Sequence, residues 1–442
     1  MNAEQTSIPK HKLTRAASLL GTGAKIGANY LKAKSKKLVT GKDHSSEFHE
    51  TTANDSFKAF SKLKGGPLKM AQMLSIDKNI LPKEYISEFS KAQYSAPPLS
   101  YPLVVKTFRQ EFGRSPSELF DSFGKNAKAG ASIGQVHQAK KGDQTFAVKV
   151  QYPGVGESVK SDLAIVKPLA MSLFQLNAKA VDPYLKEVEE RLLEETNYKL
   201  ELQRSQKLAQ ECRHVDGIAF PSYYPELSSK RIITMDWIDG IHLDQFAKSD
   251  APQEERNLIG QALWDFYHHQ IHALKIFHAD PHHGNFLVKG SKLWIIDFGC
   301  VKELPDSFYR QYFDLMDVRR TSSDADFDHM LSDLRLLRPD DSHQIIESLR
   351  PVFRESIELL GRPFQQEIFD FGDPEFLDEI AAFGERTRNN PELKAINQGR
   401  GNPHALYLNR TFFGLYNLCG TLKAQVKCHM PPQFQSPQAH TT

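Results

Sequence analysis

Two short blocks near residue 290 restrict this chain more than anything else in it. The first reads HADPHHGNFLV from His278, and the second reads WIIDFG from Trp294. His278, Asp280 and Asn285 fall in a loop just ahead of a strand at 286–288. A second strand, at 293–297, ends on Asp297 and enters Phe298 and Gly299. The 17 residues from Asp280 to Asp297 accommodate two short strands folded as a hairpin.

An Asp at a strand end, with an Asn amide five residues after a second Asp, supplies the hard oxygens that hold magnesium against nucleotide phosphates. Asn285 and Asp297 are the candidate metal ligands. Asp280 stands where a base or a nucleophile-orienting group belongs, and His278 reads as a buried support for the loop.

A second block lies at FAVKV, residues 146–150. Lys149 is the one charged residue in a strand whose alternation runs through Phe146, Val148 and Val150, after a Lys-Lys-Gly-Asp turn. A lysine so placed reaches α- and β-phosphates and needs a carboxylate to fix it. The helical text LLEETNYKLELQ, residues 192–203, offers Glu194, Glu195 and Glu201. On one continuous helix Glu195 and Glu201 are roughly 600° apart and face different ways.

The third block is the turn before that strand, Ala129, Gly130, Ala131, Ser132, Ile133, Gly134 and Gln135. Protein kinases bring bare backbone N–H groups onto phosphates with a Gly-rich loop. Methyl groups and a hydroxyl occupy that place here, which argues against an ordinary protein kinase.

The rest of the chain sets bounds. With 442 residues, 40% hydrophobic and 25% charged, there is material for a two-lobed core and an extension. The four cysteines show no metal or disulfide spacing. The first residues lack the apolar core of a secretory signal, and the most apolar run, residues 163–176, is broken by Lys167 and Gln175. Residues 1–42 hold eight Lys and one Arg against Glu4. A basic amphipathic helix over 11–39 follows, either an anchor for anionic membrane lipid or a helix packed on the protein with a solvated basic face. No interleaving of aromatic and basic residues supports a nucleic-acid partner.

The expected fold class is α+β, a two-lobed protein-kinase-like fold with a helical N-terminal extension and a largely helical C-terminal lobe. The expected segments are 1–42, basic and amphipathic; 43–126, a helical extension; 127–240, the N-lobe; 241–430, the C-lobe; and 431–442, a disordered tail. In finer detail, 41–56 reads as a polar linker, 57–75, 85–93 and 101–113 as helices, 160–212 as helical text, and 218–220 with 231–237 as a strand pair.

These blocks together resemble the UbiB/ADCK (AarF-type) atypical kinase family over about residues 63–301. Lys69-Met70-Ala71-Gln72 resembles its Lys-x-Gly-Gln motif, residues 129–137 its Ala-rich loop, and Glu195-Thr196-Asn197 with Glu201 its Glu-x-Asp motif and later Glu; the DPHHGN and DFG pair completes the match. The resemblance implies ATP and Mg2+ as cofactors and pairs Lys149 with Glu201. It places Lys69 and Gln72 on a helix folded over the nucleotide pocket, facing Glu195 and Asn197. The segment 235–238 resembles the hinge that meets adenine, through Met235 and Trp237. Ala71 and Asn197 depart from the family pattern, and Asn197 removes a charge near Lys69.

The implied activity is that of an ATPase or atypical kinase supporting ubiquinone biosynthesis. The implied partners are isoprenoid intermediates or anionic lipid, and ubiquinone-biosynthesis enzymes. The implied place is cytoplasmic and peripheral on the inner membrane, or the mitochondrial inner membrane in a eukaryote. Two other readings stand beside it: a small-molecule phosphotransferase of the aminoglycoside or choline kinase type, and a nucleotide-gated scaffold without turnover.

Overall fold

A computed structural model of the chain describes residues 45–63, 99–130, 133–174, 192–315, 323–390 and 400–429, with isolated positions elsewhere. Lys69, Gln72, Ala131 and Ser132 lie outside the described residues, as do most of 1–44, most of the helix expected at 85–93 and the tail from 430. The chain divides into two compact units, residues 1–203 with 222–237, and residues 204–221 with 238–442.

The first unit contains α1 (Ser45–Leu63), α2 (Tyr101–Phe112) and a five-stranded sheet. Its strands are β1 (Ser122–Phe123), β2 (Ala129–Gly130), β3 (Gly134–Lys141), β4 (Gln144–Gln151) and β6 (Ile232–Asp236). The order is β1-β3-β4-β6, with β2 also paired to β3; β5 (Ile218–Ala219) belongs to the other unit. The β3–β4 hairpin turns at Gly142 and Asp143, where Gly142 has φ 57°.

Strand alternation then sorts the side chains. Phe146, Val148 and Val150 enter one cluster with Val104 and Phe108 of α2, so α2 covers that face. Burying each such side chain stabilises the unit by about 1.5–3 kcal/mol. Lys149, one position out of step, is left for the opposite face. There Ile233, its cross-strand neighbour, joins Ile133, Tyr152, Val155 and Tyr198 in a second cluster.

Two expectations for this unit are corrected. Much of the segment expected to be a polar linker, from Ser45 on, is the first part of α1. Its buried positions are Thr52, Ala53, Ser56 and Phe60, mostly small or polar residues at helical spacing. The helical text of 160–212 is not continuous either. Helix α3 (Val155–Phe174) and α4 (Tyr198–Cys212) are separate, and the chain breaks at Thr196 and Asn197 just before α4. The Asn197 carbonyl accepts from the N–H groups of Leu200 and Glu201, while the Tyr198 N–H donates to Lys230 O at 3.0 Å. Glu195 and Glu201 therefore do not lie on one continuous helix.

In the second unit a four-stranded sheet has the order β5-β10-β9-β7, from β7 (Ile241–His242), β9 (Phe286–Lys289) and β10 (Lys292–Ile295) with β5 parallel to β10. The β9–β10 hairpin turns on Gly290 and Ser291, with φ 59° and 54°. Positive φ at both central residues matches the twist of a tight hairpin. A short ladder joins β8 (Ile276–His278) to β11 (Val301–Glu303). Helices α5 (Gln253–His268) and α6 (Pro403–Leu422) contribute Trp264, Phe266, Leu415 and Tyr416 to a large apolar core.

The expected strand pair is also corrected. Ile218 and Ala219 pair with β10, and 232–236 pairs with β4. The nearby backbone that does meet β6 is 222–224, through Tyr224 N–H to Thr234 O at 2.9 Å and Asp236 N–H to Ser222 O at 3.0 Å.

Candidate functional site

In the first unit Lys149, Glu201 and Tyr198 lie together on one face of the sheet, while Gln135, paired with Val150, belongs to the other. Lys149 is buried in β4, and its Nζ donates to Glu201 Oε1 over 2.7 Å. Glu201 lies in the first turn of α4, where the break at Asn197 sets it. Both side chains are shielded from water, at 8% and 7% exposure, so the pair is held by charge-assisted hydrogen bonding at low dielectric. Lys149 Nζ also sits 5.0 Å from the centre of the Tyr198 ring.

The alanine-containing turn is a β2–β3 hairpin in which Ala129 faces Val136 and Gly130 faces Gln135. Ala129 and Gly130 are exposed. Gln135 is not; its side chain is buried and pairs with both backbone groups of one residue. Leu99 N–H donates to Gln135 Oε1 at 2.7 Å, and Gln135 Nε2 donates to Leu99 O at 3.3 Å and lies 2.8 Å from His137 Nε2. His137 Nδ1 is 2.7 Å from Gly124 O, and burial pushes its imidazole below the usual histidine range. A neutral ring protonated on Nδ1 satisfies both contacts, donating to Gly124 and accepting from Gln135.

Gly134 is fixed by space: a Cβ there would lie 2.6 Å from Val150 O and 2.7 Å from Tyr198 Oη. Glu195 is buried at the end of the helical stretch 192–195, just ahead of the break before α4. Met235 is buried in β6 opposite Ala147, and the Trp237 N–H donates to Thr145 O at 2.9 Å. Between them Asp236 accepts from Ser222 N–H and Tyr224 Oη, at 2.8 and 2.7 Å.

In the second unit the β8–β11 ladder fastens the loop that carries Asp280, with Ala279 N–H donating to Cys300 O at 2.9 Å. Asn285 Nδ2 donates to Asp280 O at 2.9 Å, which orients the other amide atom, Oδ1, as the oxygen for a cation. The Asn285 carbonyl in turn accepts from Ile296 N–H at 3.1 Å, bringing the loop to the end of β10. Asp297 Oδ1 accepts from Gly299 N–H at 2.7 Å, and Phe298 is fully buried against Phe220, Phe266 and His278. His278 is fully buried as well. Its N–H donates to Gln270 Oε1 at 3.0 Å and its Nδ1 lies 3.1 Å from Tyr267 Oη, as suits a support for the loop.

Sequence reasoning missed Arg410. From α6 its Nη2 donates to Asp280 Oδ1 over 2.9 Å. Four residues on, Gly414 lets the helix approach the same loop: a Cβ there would fall 2.1 Å from Pro281 Cγ. No local pattern in the chain marks either residue.

The oxygens of Asn285 and Asp297 fit a magnesium ion that takes its remaining ligands from phosphate and water. Among the described residues no group of three or more His, Cys, Asp or Glu forms a metal cage, and an ion of that kind needs none.

Residues 91–326 match the family described as the ABC1 atypical kinase-like domain. The chain is 28% identical over 439 residues to the mitochondrial atypical kinase COQ8 of Saccharomyces cerevisiae, covering 96% of this chain and 85% of that protein. It is 26% identical over 442 residues to the mitochondrial atypical kinase COQ8B of Danio rerio, covering 96% and 68%. Among solved structures, Rv3197 of Mycobacterium tuberculosis in complex with erythromycin superposes with a TM-score of 0.56 at 26% identity, covering 87% of this chain and 95% of that one. The two-lobed kinase-like α+β fold read from the sequence is the fold of these relatives. The chain belongs to the ABC1 (UbiB-type) family of atypical kinases.

Proposed function

We propose that this atypical kinase binds Mg-ATP, with Lys149 and the 129–135 turn as phosphate ligands and Asn285 and Asp297 as metal ligands, and that it supports ubiquinone biosynthesis at a membrane surface. The observation that carries the nucleotide reading is the Lys149–Glu201 pair, 2.7 Å long and buried. A buried lysine already ordered by a carboxylate meets phosphate oxygens without first losing side-chain entropy. Magnesium, when bound, neutralises charge on the phosphates. Asp280 orients the attacking hydroxyl or water and takes its proton, and Arg410 fixes the Asp280 rotamer.

The place of action rests on the COQ8 relatives, named as mitochondrial kinases, and on the basic amino end. No helix among the described residues is long and apolar enough to cross a membrane. In the basic segment Lys25 Nζ donates to Asp55 Oδ1 at 2.8 Å and Asn29 Nδ2 to Asp55 Oδ2 at 3.3 Å, so part of it packs on α1. The remaining lysines are the charges for an anionic surface.

Cosedimentation with vesicles containing anionic phospholipid tests this reading. The full chain binds at low salt and is released as salt rises, while deletion of residues 1–42 removes most binding. Equal sedimentation of both at low salt leaves the amino end with a packing role alone.

A further inference from the structure

We propose that Tyr198 is a positioning residue that sets the spacing between the phosphate-binding lysine and the alanine-containing turn. The inference rests on the reading of Lys149 as a nucleotide ligand and extends it to a residue with no phosphate chemistry of its own. Its ring and its hydroxyl each touch one of the two phosphate-facing elements.

The ring end meets the lysine. Lys149 Nζ lies 5.0 Å from the Tyr198 ring centre and 2.7 Å from Glu201 Oε1. Tyr198 and Glu201 are three residues apart on the first turn of α4, and side chains at that spacing share a helix face. One helical turn thus holds the ammonium between a carboxylate and an aromatic face.

The hydroxyl end meets the turn. Gly134, where the chain enters β3, leaves room for Tyr198 Oη, since a Cβ there would sit 2.7 Å from that oxygen. Ile133, next to it, packs in the same cluster as the ring, and its carbonyl accepts from Tyr152 N–H at 2.8 Å. The near end of the side chain is fixed too, by the backbone bond from Tyr198 N–H to Lys230 O. A phenol ring has two torsions and no internal give, and this one is fully buried. It transmits a distance as a strut does.

A ring that only filled the core would affect stability and leave affinity alone, so the test separates the two. Isothermal titration with Mg-ATP is run on the full chain and on Tyr198→Leu, Tyr198→Phe and Phe108→Leu, with melting temperatures measured alongside. Phe108 is a fully buried ring in the cluster on the other face of the sheet. Tyr198→Leu weakens ATP binding about tenfold, within the range of a desolvated cation–π contact. Tyr198→Phe keeps the ring but shortens it by the oxygen that packs beside Gly134, so binding weakens about threefold with little change in melting temperature. Phe108→Leu lowers the melting temperature and leaves the dissociation constant in place.

Unchanged ATP affinity in Tyr198→Phe and Tyr198→Leu, with wild type binding normally, overturns the proposal. If Tyr198→Leu does not fold, the phenylalanine variant decides alone by the same criterion. A wild-type chain that binds no Mg-ATP removes the nucleotide reading itself, a different result from intact binding that ignores Tyr198.

Discussion

Arg410 donates from Nη2 to Asp280 Oδ1 over 2.9 Å, across 130 positions of sequence, with both side chains about a quarter exposed or less. The helix that delivers Arg410 docks on the same loop through Gly414 and Pro281. Asp280 therefore has its orientation set from outside its own loop, by a planar guanidinium.

Arg410→Ala should lower the turnover number about tenfold or more, with the KM for ATP changed by no more than about twofold, because the loop keeps its other hydrogen bonds. Arg410→Lys should recover little, since an ammonium keeps the charge without the fork. Steady-state kinetics check this; a turnover number unaffected by either change removes Arg410 from the machinery.

The two glycines of the 129–135 turn should respond oppositely to a methyl group. A Cβ at Gly130 meets nothing within 4 Å, whereas one at Gly134 would collide with Val150 O at 2.6 Å. Gly130→Ala should fold with a melting temperature near that of wild type, and Gly134→Ala should lose several degrees and bind ATP more weakly. Thermal melts and titrations of the two proteins compare them directly; equal behaviour contradicts the placement of β3 against β4.

Breaking the buried Lys149–Glu201 pair from one side leaves a charge without its partner, at a cost of about 3–5 kcal/mol. Glu201→Leu alone should show that loss in urea unfolding. Lys149→Met combined with Glu201→Leu should regain most of the stability and still fail to bind ATP. A double variant that binds ATP as wild type does would show that the pair serves packing only.

Acid should destabilise the chain through its buried histidines. Burial holds the His268 imidazole well below its usual value of 6.5, with His272 adding to the effect, and lowers His272 to about 3. The folded form keeps these rings neutral, while the unfolded chain takes up protons as pH falls through about 6.5. Their stabilisation is complete above that pH and is lost on acidification towards the folded values. The urea midpoint should fall between pH 7 and pH 5. His268→Phe, which preserves the stack on Trp264 at 4.2 Å, should flatten that dependence; an equal slope in the variant contradicts the assignment.

Local sequence carried the parts of this site that local chemistry builds. The Asp280–Asn285 loop, its hairpin and Asp297 lie within 20 residues, and the alternation around Lys149 places it opposite an apolar face. Arg410 was not legible because it reaches Asp280 through tertiary packing of a distant helix. The first part of helix α1 escaped because Thr52 and Ser56 fill buried positions where an apolar pattern is sought. The break before α4 escaped because Thr196 and Asn197 interrupt text of good helical periodicity, and the freed Tyr198 N–H finds its partner at Lys230. Gln135 reads as part of a phosphate turn, yet its amide is spent on Leu99 and His137, a pairing that only the fold brings together.

Magnesium-dependent ATP turnover by the purified chain, with and without anionic vesicles and beside Asp280→Asn and Asp297→Asn, tests the central claim most directly. The account predicts turnover that needs magnesium, rises with the vesicles and is lost in both variants, with Mg-ATP binding lost in Asp297→Asn and kept in Asp280→Asn. Magnesium-dependent binding that survives Asp297→Asn unchanged, or turnover that survives Asp280→Asn, would contradict it.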